Sequence, residues 1–256
     1  MLGWKDVSDY PFGVVTLFEP IQVEWLLKWK NQEQLSVLLK EYPEITWHIK
    51  MKLPESTEKI EELKNLETNL KYSKKLERDF VSSLEDWIIY VTDPDAYDKQ
   101  SHNNWNTEEL LSLIDFKEKT VVDIGSGTGS QVFRVAPLAK TVYAVEPIGH
   151  LRNYLKKKSK TLGYHNVFCV DGLMTDIPFP DHFCDVVMSG HVFGDYIIEE
   201  YEEMNRVVKA GGMIILIPGN NDEDNDIHKF LMDKGFYYGV FEEPGDGMKR
   251  KYWKIK

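Results

Sequence analysis

Two hydrophobic periodicities divide the chain. Up to about Val91, apolar residues recur at helical spacing: Ile21, Trp25, Leu26 and Trp29, then Leu35, Leu38 and Leu39. Pro20 suits a first helical position, where its missing N–H costs nothing. A short segment over 44–53 lies between Pro43 and Pro54. Glu55-Ser56-Thr57-Glu58 reads as an acid-rich helix opening with Ile60, Leu63, Leu66 and Leu70 behind it. Leu76, Phe80, Leu84, Trp87 and Ile88 then carry an apolar stripe through the following helix. Five of the seven tryptophans (Trp4, Trp25, Trp29, Trp47 and Trp87) lie in this part, which predicts a packed helical element that buries those rings.

From Thr107 the pattern changes. A short helix is expected over 107–114, capped by Thr107 with Glu108 and Glu109 in its first turn. Thr120-Val121-Val122-Asp123-Ile124 is a β-branched run ended by Gly125-Ser126-Gly127-Thr128-Gly129, and a helix is expected from there to Ala139. Strands follow at 141–145, 166–170, 183–188 and 213–217, with helices at 151–162 and 197–209 between them. Strands alternating with helices imply right-handed crossovers and a parallel sheet covered on both faces. Beyond a helix near 227–234, strands at 237–242 and 249–254 flank Pro244-Gly245-Asp246-Gly247, a hairpin signal. The predicted fold is α/β: a doubly wound, mostly parallel seven-stranded sheet with a terminal antiparallel hairpin, plus an N-terminal helical region. Its domains are a helical region at 1–92, a linker or lid at 93–106 and a Rossmann-like unit at 107–256.

Composition narrows the function. Of 256 residues, 42% are apolar and 29% charged, and the formal net charge is −11. That balance disfavours a general nucleic-acid binder, which needs a basic footprint. The longest apolar run, 213–218, is far below the roughly 20 residues of a membrane span. The N-terminus lacks the basic and apolar regions of a signal peptide. A cytoplasmic protein is expected. Cys169 and Cys184, fifteen residues apart, form neither a zinc knuckle nor a disulfide framework. The acidic run 222–226 lacks the spacing of a calcium loop and reads as a solvated helix start, so no metal site is expected. Lys249, Arg250, Lys251, Lys254 and Lys256 read as exposed positions that discourage edge pairing.

Open α/β sheets bind ligands beyond the carboxyl ends of their strands, where the most informative residues fall. Gly125, Gly127 and Gly129 allow a sharp turn and close approach of a ligand. Asp123, ending the first strand, would repel a pyrophosphate but suits an ammonium or sulfonium group. Glu146 ends the second strand, where a carboxylate accepts ribose hydroxyls. Together they select a nucleoside with a cationic tail, a description that S-adenosylmethionine fits. A nicotinamide-dependent dehydrogenase would instead use Gly125, Gly127 and Ser130 as its fingerprint; Asp123 and the serine at the third position argue against it.

The stretch Val122-Asp123-Ile124-Gly125-Ser126-Gly127-Thr128-Gly129 resembles the first motif of class I S-adenosylmethionine-dependent methyltransferases. Asp171-Gly172, the segment from Asp176 to Asp185 and the run from Glu203 to Gly212 resemble, in register, later motifs of the small-molecule, type 11-like branch. The resemblance covers about 107–217 and is silent on 1–100. It implies that Gly125, Ser126, Gly127, Thr128 and Gly129 surround the methionine moiety, with Asp123 near its ammonium group. Glu146 would hold the ribose, followed by Pro147, and Asp171, Gly172, Leu173 and Met174 would line the adenine. The stretch 171–178 is about two residues longer than the common form. Ser189, Gly190 and His191 would face the methyl group, with His191 the best-placed general base. Tyr97, Trp105 and Tyr196 are candidate substrate or lid contacts, with His102 beside them; Asp195 and Tyr196 are the next candidate bases after His191, Asp195 being placed alternatively to cap the following helix. Asp185 reads as structural. The implied partner is a small-molecule methyl acceptor, and a non-catalytic cofactor-binding module is the alternative from another class.

Overall fold

The computed structural model describes residues 6–256; Trp4 lies outside the described residues, as does the side chain of His102. The described chain forms two compact units, one ending at Tyr97 and the other beginning at Asp98.

The first unit is helical. After a 3₁₀ turn at Phe12–Leu17 come α1 (Pro20–Trp29), α2 (Gln32–Glu41), α3 (Pro43–Lys52), α4 (Thr57–Lys64), α5 (Lys74–Ser82) and α6 (Glu85–Thr92). The starts of these helices are built into the sequence. Glu19 and Gln22 form a reciprocal capping box on α1, and the Asn31 and Ser73 side chains accept from the third residue of α2 and α5. Phe12, Phe18, Leu26, Leu35, Leu38, Ile49, Ile60 and Phe80 fill the core.

Two helices are shorter than the apolar spacing predicts. The helix opened by Thr57 stops at Lys64, so Leu66 and Leu70 lie outside it. The intervening 65–69 stretch holds two asparagines and a threonine, which favour turns over helix. The stripe from Leu76 to Ile88 is two helices, because the Ser83 hydroxyl donates to the Phe80 carbonyl and breaks the ladder between α5 and α6. The tryptophans also depart from expectation. Trp25 and Trp87 are half-buried, whereas Trp29 and Trp47 are 43% and 63% exposed.

In the second unit, α7 (Pro94–Asp98) spans the division and α8 (Glu108–Leu111) precedes β1 (Thr120–Ile124). The Thr107 side chain makes no cap on α8; Asn106 Oδ1 accepts from Glu108 N–H instead. The remaining elements are α9 (Val132–Val135), β2 (Thr141–Val145), α10 (Gly149–Thr161), β3 (Val167–Val170), β4 (Cys184–Gly190), α11 (Ile197–Val207), β5 (Val208–Ile217), α12 (Asp226–Asp233), β6 (Tyr237–Glu243) and β7 (Gly247–Ile255). The helix expected to reach Ala139 is a four-residue turn, α9. The strand expected to begin at Met213 begins directly after α11, at Val208, which ends that helix two residues early.

All seven strands form one sheet in the order β3-β2-β1-β4-β5-β7-β6. Strands β1 to β5 pair in parallel, and β7 is antiparallel to both β5 and β6. Strand β6 therefore runs in the same direction as β5 and ends at the same edge. One apolar layer, with Val121, Val186, Ile215 and Phe241, packs on one face; another, with Val122, Val187, Ile214 and Tyr252, packs on the other.

This order corrects the reading of the basic hairpin. Strand β7 is interior and β6 is the edge, so Lys249, Arg250 and Lys251 cannot guard an edge and are buried. Each is paired. Lys249 Nζ donates to Asn221 and Asp246, Arg250 binds Asp222 and Asp224, and Lys251 binds Glu109. Two members of the acidic run 222–226 are thus partners of one arginine, and Asn225 caps α12 by accepting from His228 N–H.

Candidate active site

Strand order reverses between β1 and β4, and the glycine loop leaves β1 at that point. Gly125, Gly127 and Gly129 have φ of +68°, +54° and +93°, the left-handed region where a side chain is strained. At Gly129 a Cβ would lie 2.4 Å from the Phe133 ring. The loop is closed by backbone bonds: Gly125 and Ser126 N–H donate to the Val145 carbonyl, and Gly129 N–H donates to Ser126. Ser126 and Thr128 are buried.

Glu146 ties this loop to β2. Its Oε2 accepts from Gly127 N–H at 2.8 Å and its Oε1 from Ile148 N–H at 2.9 Å, while the side chain is only 4% exposed. Two amides therefore fix the carboxylate's orientation. Asp123 is buried at the end of β1. Burial, with the Glu146 charge adding to it and a Ser126 hydrogen bond opposing, pushes its carboxyl up to about 8. A buried acid held mostly neutral at pH 7 fits a cationic partner, whose arrival would favour the ionised form. These features match the needs of S-adenosylmethionine, which carries an ammonium group and ribose hydroxyls.

The other expected residues also gather near this edge, with roles the sequence did not reveal. Arg152, in the first turns of α10, donates to the Glu146 carbonyl and to Asp171 Oδ1, linking the ends of β2 and β3. Pro147 follows Glu146 directly. A Cβ on Gly172 would lie 2.6 Å from Pro178 and 2.9 Å from Val145, so only glycine lets that turn pack. Leu173 pairs with Asp176 in a tight turn, which absorbs the longer spacing of 171–178. Met174 is buried, with the Ser189 hydroxyl 3.9 Å from its sulfur. Arg206, read only as part of a motif, binds Glu203, Asp181 and the Ile177 and Phe179 carbonyls, pinning the 177–181 loop to α11.

Gly190 ends β4 and His191 follows it. Gly190 lies against the Gln131 amide, and His191 takes a left-handed φ of +62° with its Nε2 3.0 Å from Glu243 Oε2. Glu243, at the end of β6, was not foreseen. Asp185 accepts from Thr120 N–H and from Lys209, in keeping with a structural role.

The aromatic candidates separate. Tyr97 packs edge-on against Tyr90 in the helical unit. Trp105 is only 5% exposed; it packs on Phe241 under the Arg134 guanidinium, so it anchors the 98–106 segment in the core. Arg134 also donates to the Asn103 and Trp105 carbonyls, and Lys158 bridges Asp98 and the Thr128 carbonyl. The segment 98–106 is thereby lashed beside the glycine loop. Tyr196, 39% exposed, is the N-cap of α11 and makes no side-chain cap; Glu200 accepts from the Gly194 and Tyr196 amides just before the helix. Among the described residues no group of three or more histidine, cysteine or acidic side chains could hold a metal, and no helix is long and apolar enough to cross a membrane.

Strand order, glycine loop and the two strand-end acids define a class I S-adenosylmethionine-dependent methyltransferase domain, and the comparisons agree. Residues 122–216 match the family described as Methyltransferase domain. An uncharacterized methyltransferase of Geobacillus is 30% identical over 145 residues, 54% of this chain and 66% of that protein. A demethylmenaquinone methyltransferase of Bacillus licheniformis is 27% identical over 129 residues, 48% of this chain and 55% of that protein. The chain thus spans between half and two thirds of the length of these relatives. A crystal structure of a SAM dependent methyltransferase from Aquifex aeolicus shares the fold, with a TM-score of 0.53 at 24% identity over 64% of this chain and 97% of that one.

Proposed function

We propose that this protein transfers a methyl group from S-adenosylmethionine to a small-molecule acceptor in the cytoplasm. The observation that carries the reading is Glu146, held by the Gly127 and Ile148 amides beside a buried, largely neutral Asp123. When bound, the cofactor supplies a methyl group on positively charged sulfur, which an acceptor atom takes by in-line displacement. Glu146 holds the ribose hydroxyls. Asp123 and the loop 125–129 orient the amino-acid end, while Pro147 and 171–174 wall the adenine. Ser189 and Gly190 face the methyl group, and His191 accepts a proton where the acceptor atom carries one. Most of the acceleration comes from alignment and exclusion of water.

The net charge of −11 supports a neutral or cationic acceptor rather than a nucleic acid. The name of the Bacillus relative fits a small organic acceptor as well. Tyr196 contributes to the acceptor side, and Trp105 acts by anchoring the segment that precedes β1. For residues 1–92 we propose a part in acceptor turnover rather than in cofactor binding. Removing residues 1–90 is then expected to abolish turnover and spare cofactor affinity.

Calorimetric titration with S-adenosylmethionine, S-adenosylhomocysteine and NAD tests the core of the reading. Binding of the first two, weakened in Glu146→Ala, is expected. Binding of NAD alone would overturn it.

A further inference from the structure

His191 and Glu243 are 52 residues apart, yet the sheet brings them to one edge. Strand β6 lies outside β7 but runs parallel to β5, so its last residue reaches the carboxyl edge where His191 follows β4. The Glu243 side chain is fully buried. Its Oε2 meets His191 Nε2 at 3.0 Å, and its Oε1 has no hydrogen-bond partner among the described residues. A buried carboxylate with one side-chain partner is poorly compensated, so the imidazole is the group this carboxylate serves.

The ring is also fixed from other sides. His191 holds φ at +62°, a conformation uncommon outside glycine, and its N–H donates to the Ile217 carbonyl. Gly219, at φ +77°, leaves room for the imidazole: a Cβ there would fall 2.5 Å from Nδ1. Strained backbone, an absent side chain and a buried carboxylate thus converge on one imidazole, an over-determination typical of functional sites.

We propose that Glu243 is a positioning residue for His191. Its carboxylate accepts the Nε2 proton of the neutral ring and so selects the tautomer whose lone pair is on Nδ1. Nδ1 is then the nitrogen that takes the acceptor's proton as the methyl group is transferred, while Nε2 keeps its own. The inference rests on the reading of His191 as facing the methyl group.

The test needs no acceptor. Full-length protein with ¹⁵N-labelled histidines is examined by two-bond ¹H–¹⁵N correlation at a pH where the rings are neutral, with His191 assigned through His191→Asn. The wild type is expected to show one tautomer, with a slowly exchanging Nε2–H. Glu243→Met keeps the side-chain volume and removes the acceptor; it is expected to lose that slow proton and to move the two nitrogen signals toward each other as the second tautomer appears. Glu243→Ala should do the same. An Nδ1–H tautomer in the wild type overturns the proposal, as does an unchanged His191 spectrum in a folded Glu243→Met. Titration of the same samples with S-adenosylmethionine separates the two readings: failure of the wild type to bind defeats the methyltransferase function and leaves the tautomer result standing.

Discussion

Each unit buries a carboxylate, and the two are treated in opposite ways. In the helical unit, Glu77 accepts from the Phe12 amide, the Tyr42 and Tyr72 hydroxyls and Lys74. Burial pushes that acid up, but these four donors more than offset it and hold the carboxyl at about 2. In the α/β unit, burial dominates at Asp123 and leaves it at about 8. The contrast extends to other groups. Of the five buried side-chain atoms without a partner among the described residues, only Ser36 Oγ is in the helical unit, whereas Gln131, Arg134, Asn220 and Glu243 are in the other. A region that satisfies its polar groups internally is finished as a structure.

The sharpest way to break this contrast is at the loop itself. Gly129→Ala places a methyl group 2.4 Å from Phe133 and 2.8 Å from Leu155 at a φ of +93°. It is expected to destabilise the α/β unit by about 2–4 kcal/mol and to abolish cofactor binding, read by thermal unfolding and calorimetry. Glu146→Ala comes next. Losing charge-assisted bonds of about 1.5–3 kcal/mol each should weaken S-adenosylmethionine by roughly 10- to 100-fold, while a folded apo-protein remains.

The two carboxylates also predict opposite responses to pH. Asp123 is raised from 3.8 to about 8, so its neutral form favours the folded, ligand-free chain at low pH, and that contribution is lost as pH rises through about 8. If a bound ammonium group requires the ionised form, cofactor affinity should rise by up to about tenfold per pH unit below that point. Calorimetry at several pH values should show the slope, together with proton release, and Asp123→Asn should flatten it. Glu77 is lowered from 4.5 to about 2, so its contribution is complete above about 4.5 and is lost as pH falls toward 2. Denaturant unfolding of Glu77→Gln should show a smaller acid-dependent loss than the wild type over that window, with no change in cofactor affinity. The smallest effect is expected from Gly190→Ala. Its Cβ would meet the Gln131 amide nitrogen at 2.1 Å, but that atom ends a flexible side chain that can turn aside, so stability should change by less than about 1 kcal/mol.

Much of the cofactor side was legible because its signals are local. The bounds of β1 and β2 match the β-branched runs, and the three glycines at positive φ mark a turn that other residues resist. Helix ends were less legible. Leu66 and Leu70 kept a helical spacing after Asn65 and its polar neighbours had ended α4, since spacing records which side a residue faces only while the helix persists.

By itself, the sequence determined the alternating strands and helices, the glycine turn and the placement of Asp123 and Glu146 at the ends of neighbouring strands. Backbone preference and side-chain period act over a few residues, so a single chain records them. Only the tertiary structure decided that β7 lies inside β6. That order buried Lys249, Arg250 and Lys251 among carboxylates and amides, and it carried Glu243 across the sheet to His191. Such pairings depend on strand order and long-range packing, for which no local pattern of residues carries a signal.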